Sequence, residues 1–146
     1  MVRPLIEYCA CIWDPHTQKN IRELENIQRR AARIVKNDFR QTSSVTEIIK
    51  ELNWDKLQDR RRNVRITSLF KIIKGLVAIA VEELDLEFTD SITRRNSNLK
   101  LKTLRPNTNV FKNSFVVKTI PDWNKLGQST VDSATIASFK EAIRKC

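Results

Sequence analysis

A mainly α fold, with about five or six helices in an irregular bundle, is what this sequence predicts. Three observations predict it. The 146 residues include two glycines and four prolines, so little interrupts a helix. Apolar residues recur at helical spacing in most windows. Serines and threonines stand just before several of those windows, where helix caps belong. Hydrophobic residues make up 40% and charged residues 30%, a mix that can bury a core and argues against disorder. The one extended element the pattern allows is a short β-hairpin near residues 98–112.

The first segment, Val2 to Trp13, is bracketed by Pro4 and Pro15. Leu5, Ile6, Cys9 and Ile12 fall on helical spacing, which predicts a short buried helix that reads as the tail of a longer one. Thr17 to Lys36 is the clearest helix, capped by Thr17. Ile21, Leu24, Ile27, Ala31, Ile34 and Val35 gather on one side, and Arg22, Arg29, Arg30, Arg33 and Lys36 on the other. After a loop over 37–43, Ser44 with Glu47 forms a capping box for a short helix to Leu52. A long helix follows from Asp55 to Lys74, with Gly75 as its stop. In its second half Ile66, Leu69, Phe70, Ile73 and Val77 make a core-facing stripe. Its first half carries Arg60, Arg61, Arg62 and Arg65 around much of the circumference. Beyond the acidic stretch Glu82 to Asp90, Leu99, Leu101, Val110 and Phe111 suggest extended chain around a Pro106-Asn107 turn. Ser114 to Leu126 reads as a helix interrupted near Pro121, and Ser133 caps a last helix to about Lys145.

Charge is the strongest functional signal. Lys and Arg total 27 against 17 Asp and Glu, a net +10. A balance this basic points to a polyanionic partner, usually nucleic acid. Two clusters stand out: Arg29, Arg30, Arg33 and Lys36 on one helix, and Arg60, Arg61 and Arg65 on another. Arginine at that spacing can grip successive phosphates. From Ser91 to Pro121 there are seven bases and no acid, among them Arg94, Arg95, Lys100, Lys102, Arg105 and Lys112. Against this stands the plain alternative that charged helix backs are solvated. Arg62, one turn before Ile66, reads as structural. Contacts of this kind are electrostatic and independent of base sequence.

Other chemistries find no support. No adjacent aspartates exist to hold two metal ions, and two glycines cannot make a phosphate-cradling loop. Cys9, Cys11, His16 and Cys146 fit no zinc-finger spacing. No cofactor is expected, and His16 has no partner for nucleophilic catalysis. Trp13, Trp54 and Trp123 each fall at a helix boundary, which favours packing over base stacking. An odd number of cysteines suggests reduced thiols and an intracellular protein, nuclear or cytoplasmic and not secreted. No apolar run is long enough to span a membrane.

The order of these segments resembles the region downstream of the polymerase in LINE-type (non-LTR) retrotransposon reverse transcriptases of the Jockey and chicken-repeat groups. The segments that carry the resemblance are RPLIEYCACIWDPHTQKNI, LENIQRRAARIV, ELNWDKLQDRRRNVRITSLFKIIKGL, TRRNSNLKLKTLRPNTNVFKNSFVVKTIPDWNKL and TIASFKEAIRK. Together they run nearly end to end. Departures occur at Arg94-Arg95-Asn96, where the family tends to arginine-glycine-histidine, at Gly127 in place of a proline, and at Cys9 and Cys11 in place of small residues.

The charge pattern sets the organisation: a helical region over residues 1–78, an acidic linker over 79–92 and a basic C-terminal helical region over 93–146. The resemblance implies that the first region continues an upstream thumb-like part, and that the chain is a non-catalytic segment of an RNA-directed DNA polymerase that helps hold RNA or DNA, with the catalytic aspartates upstream. Two other readings stand beside it. One is a helical interaction module that docks on the upstream reverse transcriptase domain or on another protein. The other is an inert relic of a decayed mobile element.

Overall fold

A computed structural model describes residues 7–40, 42–89 and 99–144. It is mainly helical, as the sequence predicts. The chain divides into two compact units, residues 1–61 and 62–146.

In the first unit, α1 is Ala10–Trp13 and α2 is Gln18–Lys36. Thr17 caps α2, its hydroxyl accepting from the Asn20 amide at 3.4 Å. Asn37 closes the helix in the left-handed region at φ 50°, and the Asp38 amide reaches back to the Arg33 carbonyl, a C-terminal cap. The buried stripe of α2 is Ile21, Gln28 and Ala32, residues seven and eleven apart. It is rotated from the expected one: Ile27, Ile34 and Val35 stand 39%, 64% and 60% exposed. Gln28 takes the buried position because its amide donates to the Asp55 carbonyl at 2.9 Å. Helix α3, Val45–Glu51, packs on α2. Ser44 is its N-cap residue, yet the side chain makes no capping hydrogen bond.

Helix α4, Leu57–Ile73, begins in the first unit and continues in the second. Its N-terminus is capped from afar by the Glu25 carboxylate, which accepts from the Gln58 amide at 3.0 Å. Gly75, at φ 65°, turns the chain away beyond it, the conformation glycine adopts without steric cost.

The second unit holds the larger core. Ile66, Leu69 and Phe70 of α4 meet Leu86, Leu101, Ile120, Trp123, Leu126, Val131, Phe139 and Ile143. Phe70 and Phe139 stack with ring centroids 4.1 Å apart. Val77, expected in the stripe, is 38% exposed, because Gly75 ends the helical phase before it. After a 3-10 turn, Glu82–Leu84, come α5 (Asn109–Lys112), α6 (Phe115–Asn124), α7 (Gln128–Val131) and α8 (Ile136–Arg144).

In the acidic stretch Leu86 is buried and Val81, Leu84 and Phe88 pack on the core of the second unit. Three expectations are corrected here. The hairpin around Pro106 does not form. Leu101 instead bridges antiparallel to Phe88, with the Thr89 and Lys102 amides donating to the Lys100 and Glu87 carbonyls, each at 2.8 Å. Val110 and Phe111 enter α5 because Thr108 caps it, accepting from the Phe111 amide at 3.2 Å.

The second correction is that α6 runs through Pro121 without interruption. Proline costs it one backbone hydrogen bond, while Ile120 and Trp123, each 1% exposed, hold that turn in the core. The last is the cap of α8. Thr135 and Ser138 exchange amide-to-hydroxyl bonds at 3.2 and 3.1 Å, whereas Ser133 donates to the Thr130 carbonyl behind α7.

Candidate nucleic-acid interface

The arginines of α4 are the most crowded basic cluster in the sequence, and the structure turns them inward. In the first unit Arg60 Nη2 donates to Glu7 Oε2 at 2.6 Å. Arg61 Nε donates to Asp14 Oδ1 at 3.0 Å, and Arg61 is 1% exposed. In the second unit Arg62 and Arg65 converge on Asp122, at 3.3 and 3.1 Å, and Arg65 is 4% exposed. A buried guanidinium must face a carboxylate to offset the loss of water. Arg61 and Arg65 are therefore withdrawn as phosphate ligands, and Arg60 is committed to Glu7. Arg62 is structural, as its place before Ile66 suggests.

On α2 the predicted residues separate. Arg33 is half-buried and staples the loop after the helix, donating to the Arg40 carbonyl at 2.9 Å and the Ser43 carbonyl at 3.4 Å. Within that loop Arg40 grips both Asp38 oxygens, at 3.1 and 3.2 Å. Those hydrogen bonds, with a lesser one from Ser43, hold the Asp38 carboxyl well below the usual carboxylate range. They raise the Arg40 guanidinium in turn. Lys36 pairs with Glu51 at 2.9 Å on the surface, a contact worth little in water.

Arg29 and Arg30 are exposed, and so are Lys19 and Arg22, which the predicted set of ligands leaves out. None of the four has an ion-pair partner among the described residues. Arg22 and Arg29 lie two turns apart on one side of the helix, about 10.5 Å along its axis. That is about three steps of a nucleic-acid strand rising roughly 3.4 Å per nucleotide. The signal for Arg22 was present in the sequence as an i, i+7 relation to Arg29.

In the second unit Arg105 and Lys112 are exposed. Lys102 binds Glu87 at 2.7 Å, and that contact lowers the Glu87 pKa from its ordinary value. Lys100 is half-buried and already engaged. Arg94 and Arg95, together with residues 1–6 and Cys146, lie outside the described residues.

Trp123 is the fully buried tryptophan, its indole N–H donating to the Leu99 carbonyl at 2.8 Å. It packs and does not stack on bases. Trp13 is 40% exposed and donates to the Tyr8 carbonyl. Cys9 and Cys11 are free thiols, and no three potential metal ligands gather among the described residues. No helix among them is long and apolar enough to cross a membrane.

No family model, curated protein or solved structure matches this chain.

Proposed function

We propose that this chain is a non-catalytic, nucleic-acid-binding region of a LINE-type reverse transcriptase, holding RNA or DNA by its phosphate backbone. The family part of this reading rests on the resemblance of the ordered segments. The binding part rests on one observation: α2 presents Lys19, Arg22, Arg29 and Arg30 to solvent with no carboxylate partner among the described residues, while the arginines of α4 are spent on carboxylates. Arg105 and Lys112 supply a further exposed basic pair in the second unit. Contacts of this type release condensed counterions and weaken steeply with salt.

The test is binding of the full chain to labelled RNA, single-stranded DNA and an RNA–DNA duplex across a salt series. Arg22→Ala, Arg29→Ala and Arg30→Ala together should lower the slope of log affinity against log salt by roughly one per arginine. Lys36→Ala should do far less. Binding that persists unchanged at high salt, or a folded chain that fails to bind at low salt, overturns the reading.

A second reading is favoured by the apolar flank of the same helix, where Ile34 and Val35 are 64% and 60% exposed and Phe39 beyond them 63%. That flank fits an interaction module docked on an upstream polymerase segment. Ile27→Ser with Ile34→Ser separates the two: phosphate binding survives it, and docking to that segment, supplied in trans, does not.

A further inference from the structure

Between α4 and the 3-10 turn, the second unit carries Gly75-Leu76-Val77-Ala78-Ile79-Ala80-Val81, seven residues without a charge. They belong to no helix or strand. Leu76, Val77 and Ile79 are 55%, 38% and 44% exposed. Loop tips are ordinarily polar, so a contiguous apolar tip marks a contact surface. The loop is held at both ends. The Leu76 amide donates to the Lys71 carbonyl at 2.8 Å. At the other end the Ala80 amide donates to Glu83 Oε1 at 3.4 Å, and Val81 turns back onto the core.

The flanks carry opposite charge. Lys71 and Lys74 precede the apolar tip, and Glu82, Glu83 and Asp85 follow it. Lys74, Glu82 and Asp85 are exposed and make no ion pair among the described residues. A partner of uniform charge, such as a phosphate backbone or an anionic surface, satisfies one flank and is repelled by the other. A two-fold axis through the apolar centre satisfies both, because an isologous contact sets the basic end of each patch against the acidic end of its mate.

We propose that the loop from Leu76 to Ile79 is a self-association surface. Two copies of this chain pair through it, with Leu76, Val77 and Ile79 central and Lys74 of each copy facing Glu82 and Asp85 of the other. The patch is small, so the dimer is weak and exchanging, with Kd on the order of 100 μM.

The experiment is sedimentation velocity on the full chain over a concentration series without nucleic acid. The wild-type chain is expected to move from monomer to dimer. Leu76→Ser with Ile79→Ser is expected to weaken the dimer about 30-fold. The helical circular dichroism should stay unchanged, since both side chains are exposed. Lys74→Glu alone should weaken it as well, and Lys74→Glu combined with Glu82→Lys and Asp85→Lys should restore it. That rescue tests the contact without touching an apolar residue. A chain that stays monomeric into the millimolar range, or a dimer indifferent to Leu76→Ser with Ile79→Ser, overturns the proposal.

Discussion

A basic residue in a sequence is a charge without an address. Arg29 and Arg61 look alike until the partners are placed: one is exposed, and the other is 1% exposed and bonded to Asp14. The carboxylates that claim the α4 arginines lie 53, 47 and 57 residues away, for Arg60, Arg61 and Arg65. No local pattern could reveal them, whereas the Thr17 cap and the alignment of Arg22 with Arg29 were legible because they are local. The buried pairs also make a prediction. Asp122→Ala removes the carboxylate that Arg62 and the buried Arg65 share, and should destabilise the chain by about 3 kcal/mol. Arg65→Met with Asp122→Leu, which removes both a charge and its partner, should cost less. Urea unfolding of the variants checks this, and an Asp122→Ala chain as stable as wild type would refute it.

At the scale of elements, helices were legible wherever apolar spacing and a cap agreed. The α2 and α4 boundaries fall within two residues of those the sequence suggests. What failed was the face of α2 and the hairpin. In α2 a glutamine occupies the buried line and isoleucines stand outside it, since the Asp55 carbonyl accepts from Gln28 Nε2. In the hairpin region the extended segment exists, but a side chain serves as one of its neighbours. Asn124 Nδ2 donates to the Leu101 carbonyl at 2.9 Å, and its Oδ1 accepts from the Leu101 amide at 3.0 Å. Asn124→Ala leaves both buried backbone groups of Leu101 unsatisfied and should cost about 2 kcal/mol. Amide exchange at Leu101 should then rise well beyond that of the α8 amides. Unchanged protection at Leu101 would count against this account.

On the scale of the whole molecule, the composition read correctly as a chain able to bury a core. It did not show that burial is unequal between the units. The second unit assembles eleven buried apolar side chains into one cluster. The buried apolar residues of the first are Ala10, Ile21, Ala32, Ile48 and Leu57. Local opening follows the amount of apolar contact to be broken. Hydrogen exchange should therefore find α2 and α3 opening at lower free energy than α6 and α8. Equal protection across the four helices would show that the chain unfolds as one cooperative body.

Trp123 gives that difference an optical signature. Its indole is sealed among Phe70 neighbours such as Phe139, whose ring centroid lies 6.1 Å away, while Trp13 in the first unit is 40% exposed. A sealed indole emits toward the blue and resists acrylamide, and an open one emits toward the red and is quenched. The unlabelled protein thus carries a built-in dye in the second unit, and the loss of that unit can be followed by a red shift against the emission of Trp13 and the half-buried Trp54.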